Sequence, residues 1–524
     1  MHQILVADAI SADGLQPLLE YENAILIEKK VTDPGVDLKN IEALLVRSAT
    51  KVTEELLEEM PNLKIIARAG VGVDNIDVNA ATRRGIIVVN APDGNTISTA
   101  EHTFAMMASL MRKIPQAHQS VKNLEWKRNA FVGQELFGKS LGIVGLGRIG
   151  TELAKRAKAF GMNIYVYDPF LTKERAQQLK VERCTLDEVL RQADIITVHT
   201  PLTPETRGLI DAEAIKKTKQ GVLFLNCARG GIIDEQALAE YIGNGHVGGA
   251  ALDVFAVEPP GEHPLLKYDN VIVTPHLGAS TKEAQLNVAT QVAKEVRTYF
   301  EDKPVSNSIN LPAMSKDIYE KIRPFHHLSK QIGAILSQCV RVGVHELTIT
   351  YAGTVTELET SYLTKALLAG FFKDRIDVHV NEVNALLAAK ERGITVGEKI
   401  AGDSFGYANS ITVVTKMNGH QFTIRGTYIE NYGPRIVCLN DFNIDFLPEG
   451  NLLYIQHMDR PGVIGRVGKI LGDHSINIAT MQVGRKEIGG EAIMILSFDK
   501  PLEDPALELL KTLDDIVFIT RINL

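Results

Sequence analysis

Cysteine is scarce in this chain. Only four occur among 524 residues (Cys184, Cys227, Cys339 and Cys438), far apart and never as Cys-x-x-Cys. That spacing argues against a disulfide framework and a structural zinc site, so no metal is expected, and it fits a reducing, cytoplasmic setting. An excess of positive charge is also missing. Fifty-six Lys and Arg face 64 Asp and Glu, a net charge of -8. General nucleic-acid binding needs a basic face and is therefore disfavoured, although a local basic pocket for an acidic substrate is not. No apolar run reaches the ~20 residues of a membrane span. The first residues, MHQILVADAI, open on a strand-like run without a signal-peptide n-region. What remains is an ordinary globular composition, 45% hydrophobic and 23% charged. At ~150 residues per domain the length predicts three or four domains.

The stretch Lys139 to Asp168, KSLGIVGLGRIGTELAKRAKAFGMNIYVYD, is the most informative. An apolar run (Leu141 to Val144) reads as a buried strand and leads into Gly145-Leu146-Gly147-Arg148-Ile149-Gly150. A helix-periodic segment follows, with Leu153, Ala154, Ala157 and Phe160 on one face. A second strand-like run, Ile164 to Tyr167, ends on Asp168. This is the order of a dinucleotide-binding βαβ unit. Gly145 permits the tight turn, Gly147 lets backbone N–H groups approach a pyrophosphate, and Gly150 lets the helix pack close to the sheet. The helix N-terminus offers unpaired N–H groups and a positive dipole end to the anion. Asp168 is placed to accept hydrogen bonds from a ribose 2′-hydroxyl and would repel a 2′-phosphate, so the reading is NAD rather than NADP.

Before this unit, Ile4 to Ala7, Ile25 to Ile27, Ala43 to Val46 and Lys64 to Ala67 read as strands, with helices such as Thr53 to Met60 between them. Arg47 and the backbone of Gly70, Val71 and Gly72 follow strands, where ligands sit in open α/β sheets, and are candidate substrate contacts. Ser98 to Leu110 reads as a long buried helix whose His102 is a packed core residue outside the site. Arg128 either leans into a cleft or is a solvated loop residue.

After the unit, strand-like runs recur at helix-length spacings: Ile195 to His199, Val222 to Asn226, Gly249 to Val254 and Val271 to Thr274. That alternation predicts a parallel, doubly wound sheet. At the carboxyl ends of these runs lie Arg229, Glu258 and His276. A guanidinium such as that of Arg229 binds a carboxylate through a planar fork. His276 can take a proton from a hydroxyl and return it. Glu258 can hydrogen-bond the far imidazole nitrogen and fix its tautomer. Asp253 either holds a nicotinamide carboxamide or caps a turn.

Five motifs together, RAGVGVDNID (68 to 77), GLGRIG, CARGGIIDE (227 to 235), ALDVFAVEPP (251 to 260) and TPHLGAST (274 to 281), resemble the D-isomer-specific 2-hydroxyacid dehydrogenases, in their long multi-domain form. The resemblance implies a Rossmann-type NAD domain (98–285) inserted in a flavodoxin-like substrate domain (1–97 and 286–312). It implies His276 as acid/base, Glu258 as its partner and Arg229 as carboxylate binder. It implies that Val71, Arg148, Ile149, Asp168, Thr200, Cys227, Ala228, Arg229, Asp253, His276, Leu277, Gly278 and Ala279 line the cofactor. Relatives often carry threonine at the Val71 position, so that contact here is a backbone one. The implied reaction is oxidation of 3-phosphoglycerate at C2 by NAD, giving 3-phosphohydroxypyruvate on the way to serine, with Arg47 as first choice for the phosphate.

Pro312 closes the return segment. Residues 313–448 read as a further α/β region with strands at Val344 to Tyr351, Ile411 to Lys416 and His420 to Tyr428, and Asn418-Gly419 as a hairpin turn. It matches an intervening regulatory domain by position. Residues 452–524 follow the order βαββαβ, the ferredoxin-like motif. With DRPGVIG and INIATM, this part resembles an ACT domain, which implies edge-to-edge pairing, a homo-oligomer (a tetramer), and L-serine as effector held by His457, Asp459 and Asn477. Competing expectations are a hydroxypyruvate or glyoxylate reductase, and a dinucleotide-sensing binding protein.

Overall fold

In the computed structural model the chain is described throughout except Ala313, Ser315, Asp374, Asp377, Val378, Asn418 and the side chain of Lys316. Four sheets organise it. The first contains β1 (His2–Val6), β2 (Ala24–Glu28), β3 (Ala43–Val46), β4 (Ile65–Arg68) and β5 (Ile87–Asn90), all parallel, in the order β2-β1-β3-β4-β5. The residues of β3 are all buried, as expected for a parallel strand covered on both faces. β5, a short apolar run after Arg83-Arg84-Gly85, is the strand of this sheet that the sequence reading leaves out. The helix Lys282–Phe300 returns to this sheet and packs Val288, Val292, Ala293 and Val296 into its core.

The second sheet contains β6 (Ser140–Val144), β7 (Asn163–Tyr167), β8 (Glu182–Arg183), β9 (Ile195–Val198), β10 (Val222–Asn226), β11 (Val247–Leu252) and β12 (Val271–Val273). Its order is β12-β11-β10-β9-β6-β7-β8, again all parallel. The order reverses beside β6, so a crevice opens between β6 and β9 at the carboxyl ends of the strands. The helix Thr96–Arg112 covers one face through Met106, Met107, Leu110 and Met111.

The third sheet contains β13 (Glu346–Gly353), β14 (Thr395–Ala401), β15 (Asn409–Met417), β16 (His420–Ile429), β17 (Gly433–Leu439) and β18 (Phe442–Phe446), in the order β14-β13-β15-β16-β17-β18. The expected turn residue Asn418 lies outside the described residues; the hairpin itself pairs Met417 with His420. The helix Lys316–Cys339, with Pro324 inside it, crosses the helix Thr360–Phe372 closely, because a Cβ on Gly333 would lie 1.9 Å from the Leu367 carbonyl oxygen.

The fourth sheet contains β19 (Asn451–Met458), β20 (Ile478–Arg485), β21 (Glu491–Phe498) and β22 (Ile516–Asn523), in the ferredoxin-like order β20-β21-β19-β22. Alternation along β19 decides its packing. Leu453 and Ile455 face this unit's own helices, while Leu452 and Tyr454 join the core built around the helix Lys316–Cys339. Both faces are therefore buried. Among the described residues no helix is long and apolar enough to cross a membrane.

Candidate active site

The glycine loop after β6 has the geometry its sequence requires. Gly145 has φ 95°, and a Cβ there would sit 2.8 Å from the His199 carbonyl oxygen. A Cβ on Gly150 would come within 2.4 Å of the Gly145 oxygen, so the helix Arg148–Ala159 leaves the sheet at contact distance. Gly147 caps that helix, and a Cβ on it would meet no atom within 4 Å. Asp168, just past β7, accepts the N–H of Leu146 (2.8 Å) and of Phe170 (2.8 Å), which ties the loop to the second strand.

A cavity of about 500 Å³ runs along this loop. It brings together the predicted Val71, Gly147, Arg148, Ile149, Thr200, Cys227, Ala228, Arg229, Asp253, His276, Gly278 and Ala279, and also Gly72. The predicted Gly145, Gly150, Asp168 and Leu277 do not line it. The Cys227 thiol is pushed up to about 12 by burial, so it packs rather than reacts. Asp253 is buried and fully engaged. Its oxygens accept the Thr274 hydroxyl (2.5 Å) and the N–H groups of Leu277 (2.7 Å) and Gly278 (2.8 Å). Burial alone would raise its carboxyl, but hydrogen bonds from His102 and Thr274 hold it below the usual range. His102 Nε2 lies 3.2 Å from Asp253. This histidine, read from sequence as a core residue, therefore supports the turn that carries His276. Only its spacing from a strand 150 residues away would have revealed it.

His276 sits at φ 56°, with its N–H on the Asp253 carbonyl (2.9 Å). Its Nδ1 is 2.8 Å from Glu258 Oε2, while Glu258 Oε1 accepts the Phe255 N–H at 3.2 Å. A carboxylate at that position favours the tautomer with Nδ1 protonated and Nε2 free to accept a proton, on a ring that lines the cleft. Arg229 stands beyond β10 on a turn stapled by Asn226, whose amide accepts the Ala228 N–H (3.0 Å) and donates to the Arg229 carbonyl (2.8 Å). Asn226 was not singled out from sequence.

A second cavity, of about 790 Å³, continues the cleft toward the first sheet and is lined by Ser48, Lys51, Arg68, Asp74, Arg229, Glu258 and His276, among others. Arg47 does not line either cavity. Its N–H is held by Asp8 (2.6 Å) and its carbonyl by Asn75 (3.1 Å). The arginine that reaches the wall is Arg68, the last residue of β4. Burial, with Arg229 nearby, pulls its guanidinium down to about 10, and its Nε has no partner in the protein.

The three regulatory candidates do not meet within one chain. His457 is buried, with Nδ1 on the Met458 carbonyl (2.9 Å). Asp459 pairs with Arg485 (3.1 Å) at one end of β20, and Asn477 donates to Asp499 (2.9 Å) at the other end.

The parallel sheet with its glycine loop, and a His–Glu pair facing an arginine across the cofactor crevice, define a dinucleotide-dependent 2-hydroxyacid oxidoreductase. Family models agree: residues 104–278 match the NAD-binding domain of D-isomer-specific 2-hydroxyacid dehydrogenases, 321–440 the D-3-phosphoglycerate dehydrogenase intervening domain, and 452–515 the ACT domain. Among solved structures, a D-lactate dehydrogenase from Aquifex aeolicus complexed with NAD and lactic acid covers 60% of this chain and is itself covered completely, at TM-score 0.54 and 30% identity. The D-3-phosphoglycerate dehydrogenase of Bacillus subtilis is 60% identical over the full length of both chains, and that of Archaeoglobus fulgidus is 44% identical, also over both full lengths. The chain belongs to the D-3-phosphoglycerate dehydrogenase family.

Proposed function

We propose that this protein oxidises 3-phosphoglycerate to 3-phosphohydroxypyruvate with NAD, the committed step toward L-serine, using the cleft between the first and second sheets. The observation that carries the reading is the His276–Glu258 pair at 2.8 Å, set beside Arg229 on the cofactor crevice. The crevice fits a dinucleotide: the buried Thr200 hydroxyl, His199 Nδ1 and Asn95 Oδ1 have no protein partner and line it, and the Arg148–Ala159 helix starts there. When bound, NAD supplies the two-electron acceptor.

The chain's own residues do the rest. Arg229 holds the substrate carboxylate and turns C2 toward the crevice. His276 Nε2 takes the proton from the C2 hydroxyl, worth ~10²–10⁴-fold. Glu258 stabilises the resulting imidazolium. Arg68 and Lys51, with Arg47 behind them, place positive charge where the substrate phosphate lies. Asp168, beside the glycine loop, selects NAD by disfavouring a 2′-phosphate.

The C-terminal third is a regulatory unit whose effector is L-serine. Asp459 and Asn477 stand at opposite ends of β20, roughly 25 Å apart at ~3.3 Å per residue. A site using both needs two chains paired along that edge, which supports a homo-oligomer, here a tetramer, in the cytoplasm. The test is NADH formation from 3-phosphoglycerate and NAD, with hydrazine trapping the keto acid, for wild type and His276→Ala, with and without L-serine. Wild-type turnover that is lost in the variant supports the site. Absence of wild-type turnover with NADH still bound overturns it. Indifference to serine overturns the effector assignment alone.

A further inference from the structure

The loop between β4 and the helix Val78–Arg83 carries three residues in alternation, Gly70, Gly72 and Asp74, each in contact with a guanidinium or its neighbour. A Cβ on Gly70 would lie 1.7 Å from Arg68 Nη1, and a Cβ on Gly72 would lie 1.8 Å from Arg229 Nη2. Each missing side chain is therefore the seat of one guanidinium. The same added Cβ on Gly72 would be 2.7 Å from Asp74 Oδ2, so the third residue points at the same place. Asp74 Oδ2 accepts a hydrogen bond from Arg229 Nε at 2.9 Å. Arg229 belongs to the second sheet and Asp74 to the first, so this bond crosses the cleft.

Its effect on Arg229 follows from the donor inventory. A guanidinium has five N–H groups in a fixed plane. Asp74 takes the one on Nε, and the Ala228 carbonyl takes one on Nη1 at 2.7 Å. Two anchors on opposite sides of a planar group fix both its position and its rotation. The unused N–H groups are one on Nη1 and two on Nη2, and Arg229 lines the cleft together with His276. Asp74 also offsets the repulsion between two like charges, since its carboxylate acts on Arg68 as well as on Arg229.

We infer that Asp74 is a positioning residue of the reaction: it reaches across the cleft to orient the Arg229 guanidinium, and Gly72 makes the seat that this orientation needs. The inference rests on the reading that Arg229 receives the substrate carboxylate. An exposed ion pair is ordinarily worth little to stability. Its value here is geometric, because a displacement of about 1 Å at the reacting centre costs roughly 10²-fold in rate.

The experiment is steady-state kinetics of the full-length enzyme with 3-phosphoglycerate for Asp74→Ala, Asp74→Asn, Asp74→Glu and Arg229→Lys, with thermal midpoints and NADH dissociation constants measured in parallel. The expected result is kcat lowered about tenfold or more in Asp74→Ala and less in Asp74→Asn, with part of the loss restored in Asp74→Glu. KM should change less than kcat, and the NADH dissociation constant and thermal midpoint should stay at wild-type values. Unchanged kcat in Asp74→Ala, or KM falling while kcat holds, overturns the inference; the second result would make Asp74 a competitor of the substrate carboxylate. Should Asp74→Ala fail to fold, Asp74→Asn decides by the same criteria. The Arg229→Lys arm separates the two levels. If it leaves kcat/KM intact, the carboxylate reading itself fails. If it collapses kcat/KM while the Asp74 variants are silent, only the inference fails.

Discussion

Two regions of the molecule take polar groups out of water, and they do so in opposite ways. Along the cofactor crevice, Thr200 Oγ1, His199 Nδ1 and Asn95 Oδ1 are buried without partners, and Arg68 Nε is orphaned in the adjoining cavity. At the seam between the first and third sheets, the carboxylate of Glu382 is largely buried but satisfied, with 19% of its side chain exposed: His326 Nε2 lies at 3.1 Å and Lys330 Nζ at 3.7 Å, both from the helix Lys316–Cys339. Around it, Asn381 donates to the Gly85 carbonyl (2.7 Å), Asn384 to the Arg83 carbonyl (3.1 Å), and Val383 enters the core of the first sheet. A buried polar group without a partner costs about 1–3 kcal/mol. The chain carries that cost in the crevice, where a ligand can recover it; at the seam, although Glu382, Asn381 and Lys330 also line a cavity of about 400 Å³, the polar groups are satisfied within the protein. Orphans alone do not mark a site. The Ser329 and Ser410 hydroxyls are equally unpartnered, but no described cavity is lined by them. The informative combination is an orphan facing a cavity.

The largest loss is expected at His276. His276→Ala should lower kcat by roughly 10²–10⁴-fold while leaving the NADH dissociation constant at its wild-type value. A loss smaller than tenfold would mean that the crevice holds a cofactor without performing the proton transfer assigned to it. Next comes Arg68→Ala. Losing hydrogen bonds from a charged group costs about 1.5–3 kcal/mol, roughly 10- to 100-fold in KM for 3-phosphoglycerate. KM for unphosphorylated D-glycerate should stay within about threefold. Equal losses on both substrates would assign Arg68 to the carboxylate end, and no loss on either would return the phosphate to Arg47.

The seam makes the contrasting prediction, on stability rather than turnover. Burial alone would raise the Glu382 carboxyl, but the His326 hydrogen bond and the Lys330 charge bring it from 4.5 down to about 2. A depressed carboxyl stabilises the fold above its unfolded value, and that contribution is lost as pH falls through the folded one. The window is therefore pH 4.5 down to about 2. At neutral pH the pairing contributes about 3 kcal/mol. Glu382→Gln should lower the thermal midpoint at pH 7 by a few degrees and lose less further stability than wild type on acidification across that window, while kcat at neutral pH is unchanged. A variant as stable as wild type at pH 7 would mean that desolvation cancels the ion pair.

The crevice and the seam also differ in how far sequence reveals them. The βαβ unit is legible from its glycine spacing, and Arg229, Glu258 and His276 follow apolar runs recurring at helix-length spacings in a regular parallel sheet, which places them before any contact is known. Arg68 is a strand's last residue, and it stands over Gly70 in three dimensions; nothing local distinguishes it from Arg47, which lines neither cavity. His102 shows the same limit. Its helix reads correctly as buried, but its partner Asp253 comes from another strand end. Glu382 lies in a loop whose polar sequence reads as solvent-exposed, and its burial depends on a helix more than 50 residues earlier. The burial of both faces of β19 is likewise set by a helix of another unit. Local pattern fixes elements and strand ends; long-range packing decides which charges leave water.

The smallest effect sharpens the contrast most. Thr200→Val replaces a hydroxyl by a methyl of similar volume. In the protein alone that hydroxyl is buried and makes no hydrogen bond, so its removal relieves an unsatisfied group instead of breaking a contact. The thermal midpoint without cofactor should therefore hold or rise slightly. With NAD bound, the same hydroxyl is expected to gain a partner, and losing one hydrogen bond of about 0.5–1.5 kcal/mol weakens NADH binding by roughly 2- to 12-fold. Calorimetric titration with NADH, beside thermal midpoints with and without it, reads both terms. Weaker binding together with an undiminished apo midpoint is the signature of a polar group kept for a ligand. A lower apo midpoint with unchanged NADH affinity would place Thr200 with Glu382, as a residue of the fold.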